Sequence, residues 1–278
     1  MYILAIDTTG PVGTVCLGTV PESTFPVKVT TETMSHLRNL MPMISELLED
    51  QKVDKSDIKA VAASCGPGSF TGIRIGVSTA RALAQAWDVP CIQVPTLEVF
   101  RQKCGSACQG SEAGAGNEAG EGSEAGDGDE SGKDTDGSVC AVFNARRGQV
   151  YAACFGSEGE TLIEPGPYML DEILTKIKEL RIRPEFYGDG IDAYFDTDEF
   201  RERVASYKAA PKESRYQTAA MTAKYAIKKW EEGETVEYGK LLPDYMRESE
   251  AEQRLKDGSL EKMRKEKMER FMRMAGEK

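Results

Sequence analysis

Apolar positions along the chain fall into short runs separated by glycine, proline and polar turns. Tyr2 to Ile6 is an unbroken apolar run closed by Asp7-Thr8-Thr9-Gly10, and Val12 to Val20 follows with strand composition. Gly10-Pro11 between them predicts a turn, so the two segments read as an antiparallel hairpin. Phe25 to Thr31 alternates Val27 and Val29 with polar residues and predicts a third strand. From Ser35 the period changes: Leu37, Leu40, Met41, Ile44, Leu47 and Leu48 recur at helical spacing. Pro42 lies inside that pattern. An interior proline costs about 3 kcal/mol, so it is expected to kink the helix or to open its first regular turn.

Strand and helix signals then alternate. Ile58 to Ser64 predicts a buried strand and Gly66-Pro-Gly68 a loop, with Ser69 or Thr71 capping a helix that runs to about Trp87. Val89 to Val94 predicts a strand, and Thr96 to Cys104 a helix. Val139 to Phe143 and Gln149 to Phe155 form a second hairpin across the basic turn Asn144-Ala-Arg-Arg-Gly148. A helix over Leu170 to Leu180, a strand over Pro184 to Tyr187 ending in Gly188-Asp-Gly190, and a helix from about Tyr216 to Trp230 follow. Near the end, Leu260, Met263, Met268, Phe271 and Met272 mark a rough stripe on a charged helix, expected to lie on the surface or to dock a partner. Acidic residues interleave with its basic ones, which weakens attraction to anionic lipid. Hairpins followed by alternating helices and strands predict an α/β fold with mixed sheets.

Composition changes this picture at one place. Gly105 to Ser138 holds ten glycines, nine acidic residues, one basic residue and no aromatic, and carries most of the formal net charge of −11. Such a segment cannot bury enough apolar area to offset chain entropy, and it is expected to be a disordered acidic insertion. The remainder is mildly acidic, which argues against reliance on a large basic nucleic-acid surface. The N-terminus reads as a strand rather than a signal peptide, and no run of about 18 apolar residues is present. A cytoplasmic protein with no membrane association is expected. The predicted organisation is an N-terminal lobe over 1–104, the insertion over 105–138, a smaller lobe over 139–246 and a charged helical tail over 247–278.

Candidate chemistry is sparse. The seven cysteines (Cys16, Cys65, Cys91, Cys104, Cys108, Cys140, Cys154) include no Cys-x-x-Cys pair and sit mostly in apolar runs, so buried free thiols are expected. His36 is the single histidine, which rules out a two-histidine metal motif; it suits a structural or capping role at a helix start. Gly66-Pro-Gly-Ser-Phe-Thr-Gly72 joins a strand to a helix N-terminus, a natural anion site, yet no Lys follows the glycines as a Walker A loop requires. Gly72, Gly76, Ala80 and Ala84 fall four residues apart and form a stripe that another backbone can approach closely. A glycine inside a helix costs about 1 kcal/mol against alanine, so a close contact must offset it. The partner is either this chain's own sheet or a helix of another subunit, with Arg74 and Arg81 on neighbouring faces. Asp7-Thr8-Thr9 and Gly188-Asp189-Gly190 either shape turns or contact a nucleotide, and one strand-end carboxylate makes no acid–base pair.

Four segments together are specific: Ile3-Leu-Ala-Ile-Asp-Thr-Thr9, Gly66-Pro-Gly-Ser-Phe-Thr-Gly-Ile-Arg-Ile-Gly76, Asn144-Ala-Arg-Arg-Gly-Gln-Val-Tyr151 and Pro243-Asp-Tyr-Met-Arg247. In that order they resemble the TsaB (YeaZ) family, over about residues 1–104 and 139–255. The resemblance implies an actin-like fold of the sugar kinase and Hsp70-type ATPase class, with two related lobes. It implies a non-catalytic scaffold subunit of the bacterial machinery that transfers a threonylcarbamoyl group to N6 of the adenosine beside the anticodon in tRNAs reading ANN codons. The implied partners are TsaD in a heterodimer, TsaE as an ATPase in a ternary complex, tRNA through the complex, and a second copy of the chain in isolation. No cofactor or metal is implied for this subunit, with ATP or ADP expected at the subunit junction. The strand ends and glycine turns read above make up a residual nucleotide site of Asp7, Thr8, Thr9, Gly66, Gly68, Ser69, Gly188 and Asp189. The partner interface maps to Leu37, Leu40, Met41 and Ile44 on one helix and Gly72, Arg74, Ile75, Gly76, Thr79, Ala80 and Arg81 on the next. Two features depart from the family: Asn144 stands where it has an aspartate, and the acidic insertion is not one of its features. Rival readings are an independent ATP-dependent phosphotransferase or ATPase of the same fold, and a metallopeptidase whose zinc ligands would have to be carboxylates.

Overall fold

The computed structural model describes residues 1–21, 24–30, 36–105, 135–195 and 197–246. Met1–Asp244 form one unit; the second, Tyr245–Lys278, is described only at Tyr245 and Met246. In chain order the first half holds β1 (Tyr2–Asp7), β2 (Thr14–Thr19), β3 (Val27–Val29), α1 (His36–Asp50), β4 (Ile58–Gly66), α2 (Phe70–Trp87) and β5 (Cys91–Pro95). The second holds β6 (Val139–Asn144), β7 (Gln149–Phe155), β8 (Thr161–Met169), α3 (Leu170–Leu180), β9 (Glu185–Tyr187), α4 (Asp198–Val204), β10 (Lys208–Ala209) and α5 (Ala219–Glu231).

The first sheet has the order β3-β2-β1-β4-β5, with β1 antiparallel to β2 and parallel to β4. The second has the order β10-β9-β6-β7-β8. From its other edge it repeats the first: a hairpin, a third antiparallel strand at one edge, and two parallel strands on the far side. This repetition makes the chain two related α/β lobes with mixed sheets, the actin-like arrangement expected from the sequence.

Both faces of the first sheet are covered, which is why β1 and β4 read as unbroken apolar runs. Leu4 and Ile6 share a core with Leu40, Ile44 and Leu47 of α1 and Ile73, Val77 and Ala80 of α2. The opposite face is covered by α5, which packs on β1, β2, β4 and β5. Beyond α5, Val236 exchanges backbone hydrogen bonds with Cys91, and Leu241 is buried in the first core. Residues Ala219 to Leu241, placed with the second lobe in the sequence reading, therefore complete the first. The lobes meet at a 3-10 turn, Glu98–Lys103, where a helix over Thr96 to Cys104 was expected. Phe100 of that turn packs against Phe143 and Tyr187 with ring centroids 5.8 and 5.7 Å apart.

Three elements escape sequence reading. β8 runs through Pro165 and Pro167, residues that argue against a strand, but it lies at a sheet edge where a missing N–H is tolerated. β10 has two residues and α4 has seven, too short for a periodic signal. Pro42 neither ends nor opens α1, which continues through it to Asp50.

Most of the expected insertion, residues 106–134, and the tail with its expected helix lie outside the described residues. The two ends of the insertion meet, since Gly105 N donates to Gly137 O at 3.1 Å. Its last residues are part of the fold: Asp136 accepts hydrogen bonds from the Ser138 amide and hydroxyl and from Arg183 N. Replacing residues 106–134 by a Gly-Ser link is therefore expected to preserve the fold. Stability in urea should be unchanged or raised by up to about 2 kcal/mol, at about 0.6 kcal/mol per halving of a closed loop. A loss of stability would show that the removed residues hold the lobes together.

Candidate functional site

The candidate residues collect at the C-terminal ends of the parallel strands. Asp7 ends β1 on the face covered by α5 and is fully buried. Its Oδ1 accepts from Thr9 N at 3.0 Å and Thr9 Oγ1 at 2.9 Å. Its Oδ2 accepts from Ser64 Oγ of β4 at 2.6 Å. Thr222 Oγ1 of α5 lies 2.9 Å from Ser64 Oγ and 3.5 Å from Asp7 Oδ2. Burial raises the Asp7 carboxyl above its ordinary range, and the bonds from Ser64, Thr9 and Thr222 only partly oppose that shift. Gln217 Nε2 donates to Thr9 Oγ1 at 2.9 Å. The carboxylate thus has protein donors on both oxygens and is buried. Ser64, Gln217 and Thr222 carried no sequence signal; Thr222 reaches Asp7, and Gln217 reaches Thr9, from more than 200 positions away.

The glycine-rich segment is closed in the same way. Ser69 N donates to Thr9 O at 2.8 Å, Ser69 Oγ caps Gly72 N at 3.2 Å, and Thr8 Oγ1 donates to Gly72 O at 2.6 Å. A Cβ on Gly72 would fall inside the van der Waals radius of the Thr8 carbonyl oxygen, and one on Gly76 would lie 2.5 Å from Thr8 Oγ1. Gly66, at φ +126°, is crossed by the Asp244 carbonyl, and a Cβ on Gly68 would lie 2.7 Å from Thr9. These glycines are needed because the chain's own backbone, and at Gly76 the Thr8 hydroxyl, occupies the space in front of them.

By sheet position Asn144 is the second lobe's counterpart of Asp7. Its backbone N–H donates to Asp189 Oδ1 at 2.9 Å, and its Oδ1 accepts from Arg146 N at 2.7 Å and Tyr194 OH at 3.1 Å. These bonds support a turn in which Arg146 and Arg147 both adopt left-handed φ, +66° and +55°, a conformation uncommon for side chains of this size. Burial, reinforced by Asp192, pushes the Asp189 carboxyl up to about 6 against the Asn144 N–H bond. Gly188 N donates to Arg215 O at 2.7 Å, Arg215 pairs with Asp192, and Tyr216 OH donates to Asp192 Oδ2. The segment Arg215–Gln217 therefore reaches Asp192 with its first two side chains and Thr9 with its third, joining the two halves of the candidate site.

The expected partner interface is only partly at the surface. Leu40 and Ile44 are core residues of α1, and Gly72, Gly76 and Ala80 face β1 and Thr8 rather than solvent. The small-residue stripe serves this chain's own sheet, which corrects its use as a docking stripe. Nothing of the Leu37 side chain is described. Met41 is 46% exposed. On α2, Arg74 is exposed with its guanidinium 4.0 Å from the Phe70 ring centre, and Ile75, Thr79 and Arg81 are half-buried. The outward face of α2 carries Thr71, Ser78, Ala82, Gln85 and Ala86, which the sequence reading did not single out. Among the described residues no three His, Cys, Asp or Glu side chains gather as metal ligands, and no helix is long and apolar enough to cross a membrane.

Two outcomes follow from this geometry. Gly72→Ala must displace backbone, so urea denaturation should show a loss of about 3 kcal/mol, the upper end of overpacking costs, while Ser78→Ala on the outer face stays within about 0.5 kcal/mol. A Gly72→Ala protein as stable as wild type would refute the contact. The folded chain also holds the Asp189 proton more tightly than the unfolded chain, whose aspartates titrate near about 3.9. The folding contribution of this group therefore falls as pH rises from about 4 to about 6 and is flat above. Asp189→Asn keeps an oxygen for the Asn144 N–H and removes that slope. Its stability relative to wild type should grow by up to about 1.4 kcal/mol per pH unit across the window. A constant difference between pH 4.5 and pH 7 would contradict the raised carboxyl.

Comparison with known proteins bears on the same segments. A family model described as TsaD, tRNA N6-adenosine threonylcarbamoyltransferase, matches residues 29–111. The tRNA threonylcarbamoyladenosine biosynthesis protein TsaB of Bacillus subtilis is 28% identical over 263 residues, covering 91% of this chain and 96% of that protein. The protein of the same name from Escherichia coli is 36% identical over 102 residues, covering 37% of this chain and less than half, 43%, of that protein. A Pseudomonas aeruginosa crystal structure described as similar to peptidase YEAZ superposes with a TM-score of 0.66 at 22% identity, over 88% of this chain and 99% of that one. The YeaZ structure from the same organism gives 0.61 at 23%, over 88% and 99%. The fold is shared with the YeaZ structures, and over 91% of its length the chain is similar in sequence to the Bacillus subtilis TsaB protein.

Proposed function

We propose that this chain is a non-catalytic scaffold subunit in the biosynthesis of tRNA threonylcarbamoyladenosine. In this reading it pairs with a TsaD-type subunit, and TsaE joins as an ATPase. The assembly transfers the threonylcarbamoyl group to N6 of the adenosine beside the anticodon in tRNAs reading ANN codons. The observation that carries the reading is the match to the Bacillus subtilis protein over 91% of the chain.

The chemistry of the site supports the non-catalytic part. Phosphoryl transfer needs carboxylates free to hold Mg²⁺ against phosphate oxygens. Both Asp7 oxygens already accept from Thr9 and Ser64, and Asn144 stands at the equivalent position of the second lobe. ATP or ADP then belongs at the junction with the partner rather than in this chain alone.

The surface left for the partner is the outer face of α1 and α2. Thr71, Ser78, Ala82 and Ala86 are exposed, small and uncharged, and Met41 is exposed on α1. Small side chains let a facing helix approach closely, and the same face would serve a second copy of this chain when TsaD is lacking. Ala82→Arg places an unpaired charge in that contact without touching the core. It should weaken capture of TsaD by about a hundredfold with an unchanged unfolding midpoint, whereas Glu179→Arg on α3 should have no effect. A folded Ala82→Arg protein that binds TsaD as wild type does would remove α2 from the interface. ATP turnover by the isolated chain, lost on Asp7→Ala, would favour the phosphotransferase reading instead.

A further inference from the structure

Cys140 and Cys154 take no part in the site described above. They face each other directly across β6 and β7. Ala145 N donates to Gln149 O, so that pair is a hydrogen-bonded one. Counting back along the unbroken register makes Cys140 and Cys154 a non-hydrogen-bonded pair, the kind whose side chains approach most closely. The Cα separation of such pairs, about 4.5 Å, lies within the range that a disulfide spans. Both side chains point into the second core beside Ile163 and Phe186 and are fully buried. Their Sγ atoms are 2.7 Å apart, so no third group stands between them. On its other side β7 changes register against β8 at Cys154, which gives the strand local freedom to adjust. The other described cysteines lack this arrangement: Cys16 faces Ala5, and Cys91 faces Val61.

We propose that Cys140 and Cys154 close to a reversible cross-strand disulfide, a redox-driven staple across the hairpin that carries Arg146 and Arg147. With a peroxide as oxidant the chemistry balances. One sulfur attacks the peroxide, giving a sulfenic acid and one water; the second sulfur displaces the hydroxyl as another water and forms the S–S bond. Two thiols and one hydrogen peroxide yield one disulfide and two waters. Burial and the neighbouring sulfur raise the Cys140 thiol well above its ordinary range, so thiolate is scarce and closure is slow while the sheet stays shut.

Arg146 and Arg147 lie between the two cysteines, so trypsin separates them onto different peptides. The test treats the full chain with hydrogen peroxide, unfolds it in alkylating reagent and maps the tryptic peptides. A linked pair of the Cys140 and Cys154 peptides is expected, lost on reduction and absent from Cys140→Ala. The oxidised wild type should unfold about 5–10 °C higher than the reduced protein, with no such rise in the variant. Full alkylation of both cysteines after oxidation, or linkage of either to another cysteine, would overturn the proposal.

Discussion

No side chain fits between the Thr8–Thr9 turn and the first turn of α2, and the first lobe is arranged around that contact. Thr8 holds the Gly72 carbonyl, Thr9 holds the Ser69 amide, and Gly72 and Gly76 leave room for both. This approach fixes the angle at which α2 crosses β1 and β4. Asp7, by the alternation of β1, lies on the other face of the sheet, where burial would be costly without donors. Ser64 and Thr222 supply them, and so tie β4 and α5 to the same point.

Strands and helices whose pattern repeats over several residues are legible in the sequence; those without such a pattern are not. Both hairpins, α2 and α3 are legible because their periodicity and turn chemistry are local. β8 was hidden by two prolines that only its edge position permits, and β10 by its length. The glycine segment was recognised as important while its direction stayed open. A four-residue spacing fixes one helix face, and only the fold decides whether that face meets a sheet or another molecule. Here Gly76 and Ala80 face inward, and the outward positions, Ser78 and Ala82, carry no signal beyond being small. Asp7 was legible as a strand-end carboxylate; its closure was not, since Gln217 and Thr222 come from the far end of the chain.

The two lobes solve the same geometric problem with different chemistry. Each places a polar residue at the end of its central strand, ahead of a turn. In the first lobe that residue is a carboxylate, satisfied by hydroxyls and an amide. In the second it is Asn144, whose amide oxygen supports two left-handed arginines and whose N–H rests on the Asp189 carboxylate. A carboxylate at Asn144 would add a second negative charge to a turn whose backbone already rests on Asp189, and like charges raise one another's carboxyls. The asparagine removes that repulsion while keeping an acceptor for Arg146 N.

Chain connectivity explains how Asp7 can be buried at all. The first sheet is interrupted after β5 by the whole second lobe, and only then does α5 return to cover the face that holds Ile3, Ala5 and Asp7. Without α5 that face, Asp7 included, would be open to water. Its burial and the bond from Thr222 depend on the last large helix described in the chain, and Gln217, just ahead of that helix, holds Thr9. The covering helix of the first lobe is thereby tied to the second, because Arg215 and Tyr216, which lead into α5, are held by Asp192. The strand ends that carry Asp7 and Asp189 also form a joint between the lobes, through Arg215–Gln217. On the scaffold reading, that joint would hold the outer faces of α1 and α2 steady for a partner.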